Sequence, residues 1–105
     1  MVRGEVFRLR APRQARGREQ RGARYAVVVQ ADELLPLDTV IVAPTSTSGP
    51  PFTFRPVIAV RDQPTYVLVD QIAAAAVERL GTSVGRLSAT ELRAVDEALT
   101  VVLGL

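Results

Sequence analysis

The sequence predicts a mainly β, α+β fold: a small, strongly curved antiparallel β-barrel with one helix packed at its C-terminal end. Three observations predict it. The 105 residues suffice for one domain, and 48% of them are hydrophobic, which is enough for a compact core. Five or six short strand-like segments follow one another with connections of hairpin length. One amphipathic helical pattern closes the chain. We therefore treat residues 1–105 as a single domain.

The first predicted strand and the loop after it lie in the N-terminal quarter. Residues 5–10 alternate so that Phe7 and Leu9 share one face, which is typical of a half-buried strand. Residues 11–23 contain one Pro and two Gly among polar residues, and they predict a long loop.

The next two strands are predicted to be buried on both faces. Ala26–Gln30 and Val40–Ala43 are short, continuously apolar and rich in β-branched residues. Ala31–Leu37 joins them, with Pro36 as a breaker. Thr45–Pro51 combines Ser, Thr, Gly and Pro, which is the composition of a turn.

The middle of the chain predicts two further strands. Phe52–Val60 alternates apolar and polar residues, although Pro56 confines such a strand to an edge or a bulge. Arg61–Pro64 predicts a turn, and Tyr66–Ile72 predicts the strand after it.

The C-terminal part predicts a helix and a last short strand. Ser88–Glu91 has the spacing of a capping box. Gly85–Leu87 predicts a short strand before it. Ala73–Leu80 is ambiguous: four consecutive Ala favour a short helix, and Gly81 is suited to end it. The apolar face of the C-terminal helix is predicted to comprise Leu92, Val95, Leu99 and Val102 or Leu103.

The composition excludes several classes of protein and of chemistry. No apolar stretch approaches the roughly 18 residues that span a bilayer, and Arg3, Arg8 and Arg10 precede no apolar signal segment. We therefore expect a soluble protein of the cytoplasm. The chain has no Cys and no His, which excludes thiol nucleophiles, imidazole acid–base chemistry and the usual zinc ligand sets. We expect catalysis, if any, to use neither a metal nor a cofactor.

The net charge of +2 conceals an asymmetry. Residues 1–24 hold eight Arg against two acids, a sum of +6, whereas residues 25–105 hold five Arg against nine acids, a sum of −4. All thirteen cations are Arg, whose planar group suits bidentate contact with phosphate. The Arg-rich loop is either a solvated, disordered segment or a flexible arm that contacts a polyanion, and we favour the arm.

A cation and a hydroxyl stand at the ends of two predicted strands. Arg24 lies just before the second predicted strand, and Ser46 lies just after the third. Together with Arg3–Val6, Arg18–Gln20 and Asp70–Ile72, these junctions occur in the order typical of the MazF/PemK family of toxin endoribonucleases, also called mRNA interferases. The chain resembles this family over nearly its whole length.

The resemblance implies a specific fold. It is the SH3-like barrel of the MazF, Kid and CcdB toxins, in which the C-terminal helix covers one side of the sheet and two copies form a homodimer. It also implies that the ambiguous alanine segment is extended at Ile72–Ala75 and turns at Val77–Leu80.

The resemblance implies that the protein is the toxin of a type II toxin–antitoxin system. Such a toxin is a sequence-selective endoribonuclease that needs neither a metal nor the ribosome. Its RNA target, which is mRNA, tRNA or rRNA, supplies the 2′-OH nucleophile, so the products carry a 2′,3′-cyclic phosphate and a 5′-OH. The protein then only aligns the attack and stabilises charge on the phosphorane. The implied inhibitor is an antitoxin with an acidic, disordered tail.

The resemblance assigns the catalytic roles to Arg24 and Ser46. Taken alone, Arg24 would be interpreted as a solvated strand flank and Ser46 as a turn residue bonded to its own backbone. Asp70 is interpreted as a proton acceptor, as an orienter of Arg24, or as a mere strand-end acid. The predicted RNA contacts are Arg13, Arg16, Arg18, Glu19, Gln20, Arg21, Thr45, Thr47 and Gln71.

The chain departs from the family pattern in three ways, one of which is the unusually Arg-rich segment 11–23. Tyr25 stands where Pro usually follows the catalytic Arg. Ser46 replaces the commoner Thr, which keeps the hydroxyl and loses the methyl group that restricts its rotamer. The alternative function is that of a non-catalytic, CcdB-like toxin or binding module that acts on gyrase or holds nucleic acid. The presence of Arg24 together with Ser46 favours the nuclease.

Overall fold

A computed structural model describes residues 1–10 and 24–105. In these residues the chain forms seven β-strands and one α-helix, and every strand pair is antiparallel. The predicted loop over residues 11–23 lies outside the described residues. The elements are β1 (Glu5–Leu9), β2 (Tyr25–Val28), β3 (Thr39–Ser46), β4 (Val57–Val60), β5 (Gln63–Val67), β6 (Ala73–Ala76), β7 (Leu80–Arg86) and α1 (Ala89–Leu103).

The strands form one sheet in the order β4-β5-β3-β2-β1-β7, and β6 pairs with β3 outside that path. The eight-residue β3 pairs with β2, with β6 near its start and with β5 at its end. Val42 is opposite Ala73 of β6, whereas Thr45 is opposite Val67 of β5. A strand that changes partner along its length accompanies a strong curl of the sheet. The predicted curved antiparallel fold is confirmed.

The core lies on both faces of β2, as its continuous apolar run predicts. Val27 is buried on the face that packs against the helix, and Val28 is buried on the opposite face. Phe7 and Leu9 both pack against the cluster of Val28, so their predicted common face is confirmed. The two clusters include Val6, Ile58, Val67, Val69 and Val95 on the helix side, and Ala26, Val40, Val42, Ala75 and Leu80 on the other.

The helix begins with the predicted capping box. The Ser88 hydroxyl accepts a hydrogen bond from the backbone N–H of Glu91 at 3.1 Å, and the Glu91 carboxylate accepts from the N–H of Ser88 at 2.8 Å. The same carboxylate accepts from the N–H of Ala59 at 2.9 Å, which ties the helix to the edge strand β4. Burial raises the pKa of Glu91, but these hydrogen bonds outweigh it and hold the pKa below its ordinary value.

The buried face of α1 follows the prediction, which left Val102 and Leu103 as alternatives at its end. Val95 is fully buried, and burial of such a side chain contributes about 1.5 kcal/mol or more. Leu99 and Val102 pack against the same cluster, but the side chain of Leu103 is exposed. Within the described residues, no helix combines the length and the apolar character that a membrane crossing requires.

Two predicted strands are shorter than expected. The strand predicted over Phe52–Val60 is confined to Val57–Val60, because three Pro in residues 50–56 cannot donate to a ladder and Arg55 N–H closes a turn onto the Phe52 carbonyl at 3.0 Å. The strand predicted over Tyr66–Ile72 ends at Val67, since residues 69–71 form a 3₁₀ turn.

The remaining C-terminal elements agree with the family pattern. The alanine segment is extended as β6, and a 3₁₀ turn follows at Val77–Arg79. The short helix that propensity alone predicts there is wrong, because pairing with β3 overrides the preference of Ala. The last strand extends back from Arg86 to Leu80, which is longer than the predicted three residues.

Candidate active site

A pocket of about 480 Å³ opens where three segments meet. Arg24 and Tyr25 line it from the start of β2, and residues 45–47 line it from the end of β3. The third wall is the hairpin between β4 and β5. The start of β2 lies opposite the end of β3 because the two strands are antiparallel, with Ala26 opposite Pro44. Antiparallel pairing thus brings Arg24 and Ser46, which lie at separate strand ends in the sequence, to one pocket.

Arg24 is exposed and is the residue directly before β2. Its carbonyl accepts a hydrogen bond from the N–H of Leu9 at 2.8 Å, so its backbone is fixed to β1. In residues 1–10 and 24–105, no carboxylate forms a salt bridge with its guanidinium. The anchored backbone and the exposed cation are suited to hold an anion at the pocket.

The hydroxyls at the end of β3 are engaged with backbone groups. The Thr45 hydroxyl donates to the Tyr25 carbonyl at 2.9 Å, which fastens the end of β3 to the start of β2. The Ser46 hydroxyl donates to the Ser48 carbonyl at 2.8 Å and accepts from the Ser48 N–H at 3.1 Å. Ser46 therefore makes the turn-type contacts that its alternative interpretation expects. A hydrogen bond from this hydroxyl to a ligand would have to replace the bond to Ser48.

Asp70 lies on the 3₁₀ turn after β5 and is paired with Arg55. Two parallel hydrogen bonds of 3.0 and 2.8 Å join the guanidinium to both carboxylate oxygens. The hydrogen bond from Arg55 holds the pKa of Asp70 below its ordinary value, and the same contact raises the pKa of Arg55. Asp70 does not line the pocket. Both of its oxygens accept from Arg55, and the role of Asp70 in proton transfer or in orienting Arg24 stays a prediction.

The other predicted RNA contacts divide between the pocket and other places. Thr45 and Thr47 line the pocket, whereas Gln71 is exposed on the 3₁₀ turn and does not. The predicted contacts of the long loop lie outside the described residues. They are Arg13, Arg16, Arg18, Glu19, Gln20 and Arg21.

Sequence reasoning missed the third wall of the pocket. Arg61, Gln63 and Thr65 face it from the β4–β5 hairpin. The sequence marked residues 61–64 as a turn, but it gave no sign that this turn meets the end of β3. That contact follows from the pairing of Ser46 with Tyr66, which is a non-local feature.

The donor set does not resemble a metal centre. In the described residues, no three His, Cys, Asp or Glu side chains come close enough together to hold an ion. The described residues that line the pocket offer guanidinium, hydroxyl and amide groups, which can hold and polarise an anionic ligand.

Comparisons with known proteins point in one direction. A family model described as PemK-like, MazF-like toxin of type II toxin–antitoxin system matches residues 2–103. A candidate toxin of Mycobacterium tuberculosis is 40% identical over 106 residues, which cover 100% of this chain and 99% of that protein.

Solved structures match over the whole chain as well. An endoribonuclease in complex with its cognate antitoxin, from a mycobacterial species, has a TM-score of 0.81 at 20% identity, covering 100% of this chain and 96% of that one. A MazE–MazF structure from Deinococcus radiodurans has a TM-score of 0.82 at 19% identity, covering 100% and 97%. Likeness at this identity shows a common fold, in which a curled antiparallel sheet carries one C-terminal helix.

Proposed function

The chain belongs to the PemK-like, MazF-like family of toxins of type II toxin–antitoxin systems, and from this we propose that it is an endoribonuclease that cleaves single-stranded RNA. One observation carries the proposal: Arg24 and Ser46 line one pocket, although 21 residues separate them in the sequence. The mycobacterial protein of the same fold is named an endoribonuclease, which supports it.

The proposed reaction uses a nucleophile that RNA itself supplies. The 2′-oxygen attacks the adjacent phosphorus, the bond between phosphorus and the 5′-oxygen breaks, and the proton of the 2′-OH finally resides on the 5′-oxygen. The products are a 2′,3′-cyclic phosphate and a 5′-OH. The protein needs to align the attack and to stabilise the negative charge that accumulates on the non-bridging oxygens.

We assign to Arg24 the stabilisation of the negative charge on the phosphorane. A guanidinium can donate to two non-bridging oxygens at once, and in the described residues no salt bridge competes for it. We expect the Ser46 hydroxyl to donate a hydrogen bond to a third oxygen of the phosphorane or to the leaving oxygen. It would exchange its bond to the Ser48 carbonyl for this contact as the substrate enters.

Asp70 is assigned a positioning role, because both of its oxygens accept from Arg55. The Cζ atom of Arg55 also lies over the ring of Phe52, 4.9 Å from the ring centroid. The pair therefore fixes the chain that leads away from Ser46, and the proton transfer is left to water or to the substrate. A mechanism without metal is supported by the donor set, since the chain has no His and no Cys.

The proposal includes the biological setting. The chain would act in the cytoplasm on mRNA, tRNA or rRNA, with sequence selectivity supplied by base contacts at the pocket and the Arg-rich loop, and without the ribosome. The mycobacterial structural neighbour is bound to its cognate antitoxin. We expect this chain to bind an antitoxin with an acidic tail in the same way. The homodimer stays a prediction of the family resemblance.

Incubation of the purified protein with RNA in EDTA tests the proposal. We expect cleavage to continue, the new ends to be a 2′,3′-cyclic phosphate and a 5′-OH, and RNA with 2′-O-methyl groups to resist. Arg24→Ala should lower the single-turnover rate by about a hundredfold or more, and Arg24→Lys should not restore it because an ammonium lacks the planar fork.

Arg93→Gln is the matched control, because Arg93 is exposed on α1 and does not line the pocket. It removes the same charge and should leave the rate unchanged. A requirement for Mg²⁺, or cleavage of the 2′-O-methyl RNA at the normal rate, would overturn the mechanism. An Arg24→Ala variant that cuts as fast as the control would remove Arg24 from it.

A further inference from the structure

The turn between β4 and β5 has an unusual backbone. Its two residues, Arg61 and Asp62, have φ angles of 51° and 65°. They connect Val60 directly to its partner Gln63 in a two-residue hairpin loop. Positive φ at both loop positions belongs to a turn type that strongly favours Asn-Gly, because a bulky side chain is strained there. Within the described residues these are the only positions other than Gly with a positive φ.

Strain of this kind persists only where the surrounding structure holds it, and it often marks a functional position. Here the neighbours on both sides are fixed. The side chain of Val60 is buried in the core, and β5 pairs with β4 on one side and with β3 on the other. The hairpin therefore has little freedom to relax, and the backbone of Arg61 is held in a fixed position.

The fixed position of Arg61 is at the pocket. Arg61 lines it from the hairpin, opposite the segments that carry Arg24 and Ser46. In residues 1–10 and 24–105, no carboxylate forms a salt bridge with Arg61, although Asp62 is its neighbour in sequence. Among the residues that the structure describes, the pocket is thus lined by two Arg from different walls and by no acid.

We propose that Arg61 binds a phosphate of the RNA strand next to the scissile one, so that the strained hairpin is a substrate-anchoring device. This rests on the proposed ribonuclease function. Successive phosphates of a single strand are separated by a nucleotide, so one pocket with two cations on different walls can hold two of them. Because the second phosphate does not change its charge during cleavage, Arg61 binds the ground state and the transition state alike.

The structure offers a variant that removes the cation and keeps the turn. Asn is the side chain favoured at the first position of this loop, so Arg61→Asn should fold at least as well as the natural chain. Arg61→Lys keeps the charge without the fork. Arg93→Gln lowers the net charge equally at a site outside the pocket.

Two measurements are made on each variant. The first is binding of a mixed-sequence, single-stranded 2′-O-methyl RNA at several salt concentrations, and the second is cleavage of unmodified RNA of the same composition. For Arg61→Asn we expect KM to rise about tenfold with kcat unchanged, and the slope of log Kd against log salt to fall by about 0.7, the value of one phosphate on a single strand. Arg61→Lys should restore the slope.

The outcomes separate this inference from the proposed function. If the natural protein cleaves RNA and Arg61→Asn matches the Arg93→Gln control in slope and KM, Arg61 does not bind phosphate, while the ribonuclease stands. If the protein binds the RNA without cleaving any, and only Arg61→Asn lowers the slope, the phosphate contact is supported although the nuclease is not. If Arg61→Asn lowers kcat and leaves KM unchanged, Arg61 acts in the chemical step and the anchoring role is wrong.

Discussion

Replacement of Ser46 by Ala separates the two roles that this residue can have. In the free protein its hydroxyl donates to the Ser48 carbonyl at 2.8 Å and accepts from the Ser48 N–H at 3.1 Å. In the proposed mechanism the same proton is donated to the substrate. Ser46→Ala removes both roles, so its effects on folding and on the rate must be measured together.

The contacts allow both magnitudes to be worked out. The two hydrogen bonds are exposed, so water replaces them readily, and their loss should lower the free energy of unfolding by about 1 kcal/mol or less. Loss of one preorganised donor to a transition state lowers a rate by about a hundredfold or more. Ser46 must first give up its bond to Ser48, worth about 1 kcal/mol or a factor of about five. We therefore expect Ser46→Ala to lower the rate about twentyfold, less than Arg24→Ala.

The assay is single-turnover cleavage at saturating protein, with urea unfolding measured on the same samples. Ser48→Ala is the matched control, because Ser46 contacts only backbone atoms of Ser48. It should match the natural chain in both assays. Ser46→Thr keeps the hydroxyl and should be nearly silent.

A Ser46→Ala variant that cleaves at the natural rate would show that Ser46 is a turn residue only. A variant that loses several kcal/mol of stability would show instead that the contacts to Ser48 hold the loop in place. Any loss of rate would then be indirect. Equal losses in Ser46→Ala and Ser48→Ala would likewise refute the assignment of the hydroxyl.

Two further predictions concern stability. Asp62→Gly should raise the free energy of unfolding by about 1 kcal/mol because Gly relieves its positive φ; Asp62→Asn tests whether loss of charge alone does this, and equal gains in a urea titration would contradict the backbone explanation. Acid should destabilise the fold, because hydrogen bonds lower the pKa of Asp70 and Glu91 in the folded state. The contribution of these two carboxylates to stability is complete above their ordinary pKa values of 3.8 and 4.5. It is lost as the pH falls through their lower pKa values in the folded state. Urea midpoints that stay constant down to about pH 3 would contradict this.

Local sequence patterns predicted the elements whose causes are local. The capping box at Ser88 and the buried strand around Val27 follow from a few adjacent residues, and both are present. The pattern over Phe52–Val60 misled because alternation also fits residues that do not pair. There the rings of Phe52 and Phe54 stack 5.1 Å apart beside the turn, and only the last four residues join the ladder.

The site was predictable only where its residues lie at strand ends that the family pattern marks. Arg24 and Ser46 were selected in this way, and the structure brings both to the pocket. Arg61 could not be found, because its approach depends on the register between β3 and β5. The family pattern left Asp70 as a proton acceptor, an orienter of Arg24 or a strand-end acid, and nothing in the sequence connects it with Arg55, 15 residues away.

The curl of the sheet explains why the pocket lies where it does. Near Val42, β3 has β2 on one side and β6 on the other, but at Thr45 its partner is β5. This exchange turns the β4–β5 hairpin toward the start of β2 and makes a concave surface between them, which a flat sheet would lack. The residues that line the concavity belong to strand ends and a turn, and the core lies behind them. The cations of the pocket can therefore remain exposed to a ligand, while buried neighbours such as Val60 and Ala26 fix the backbone that carries them.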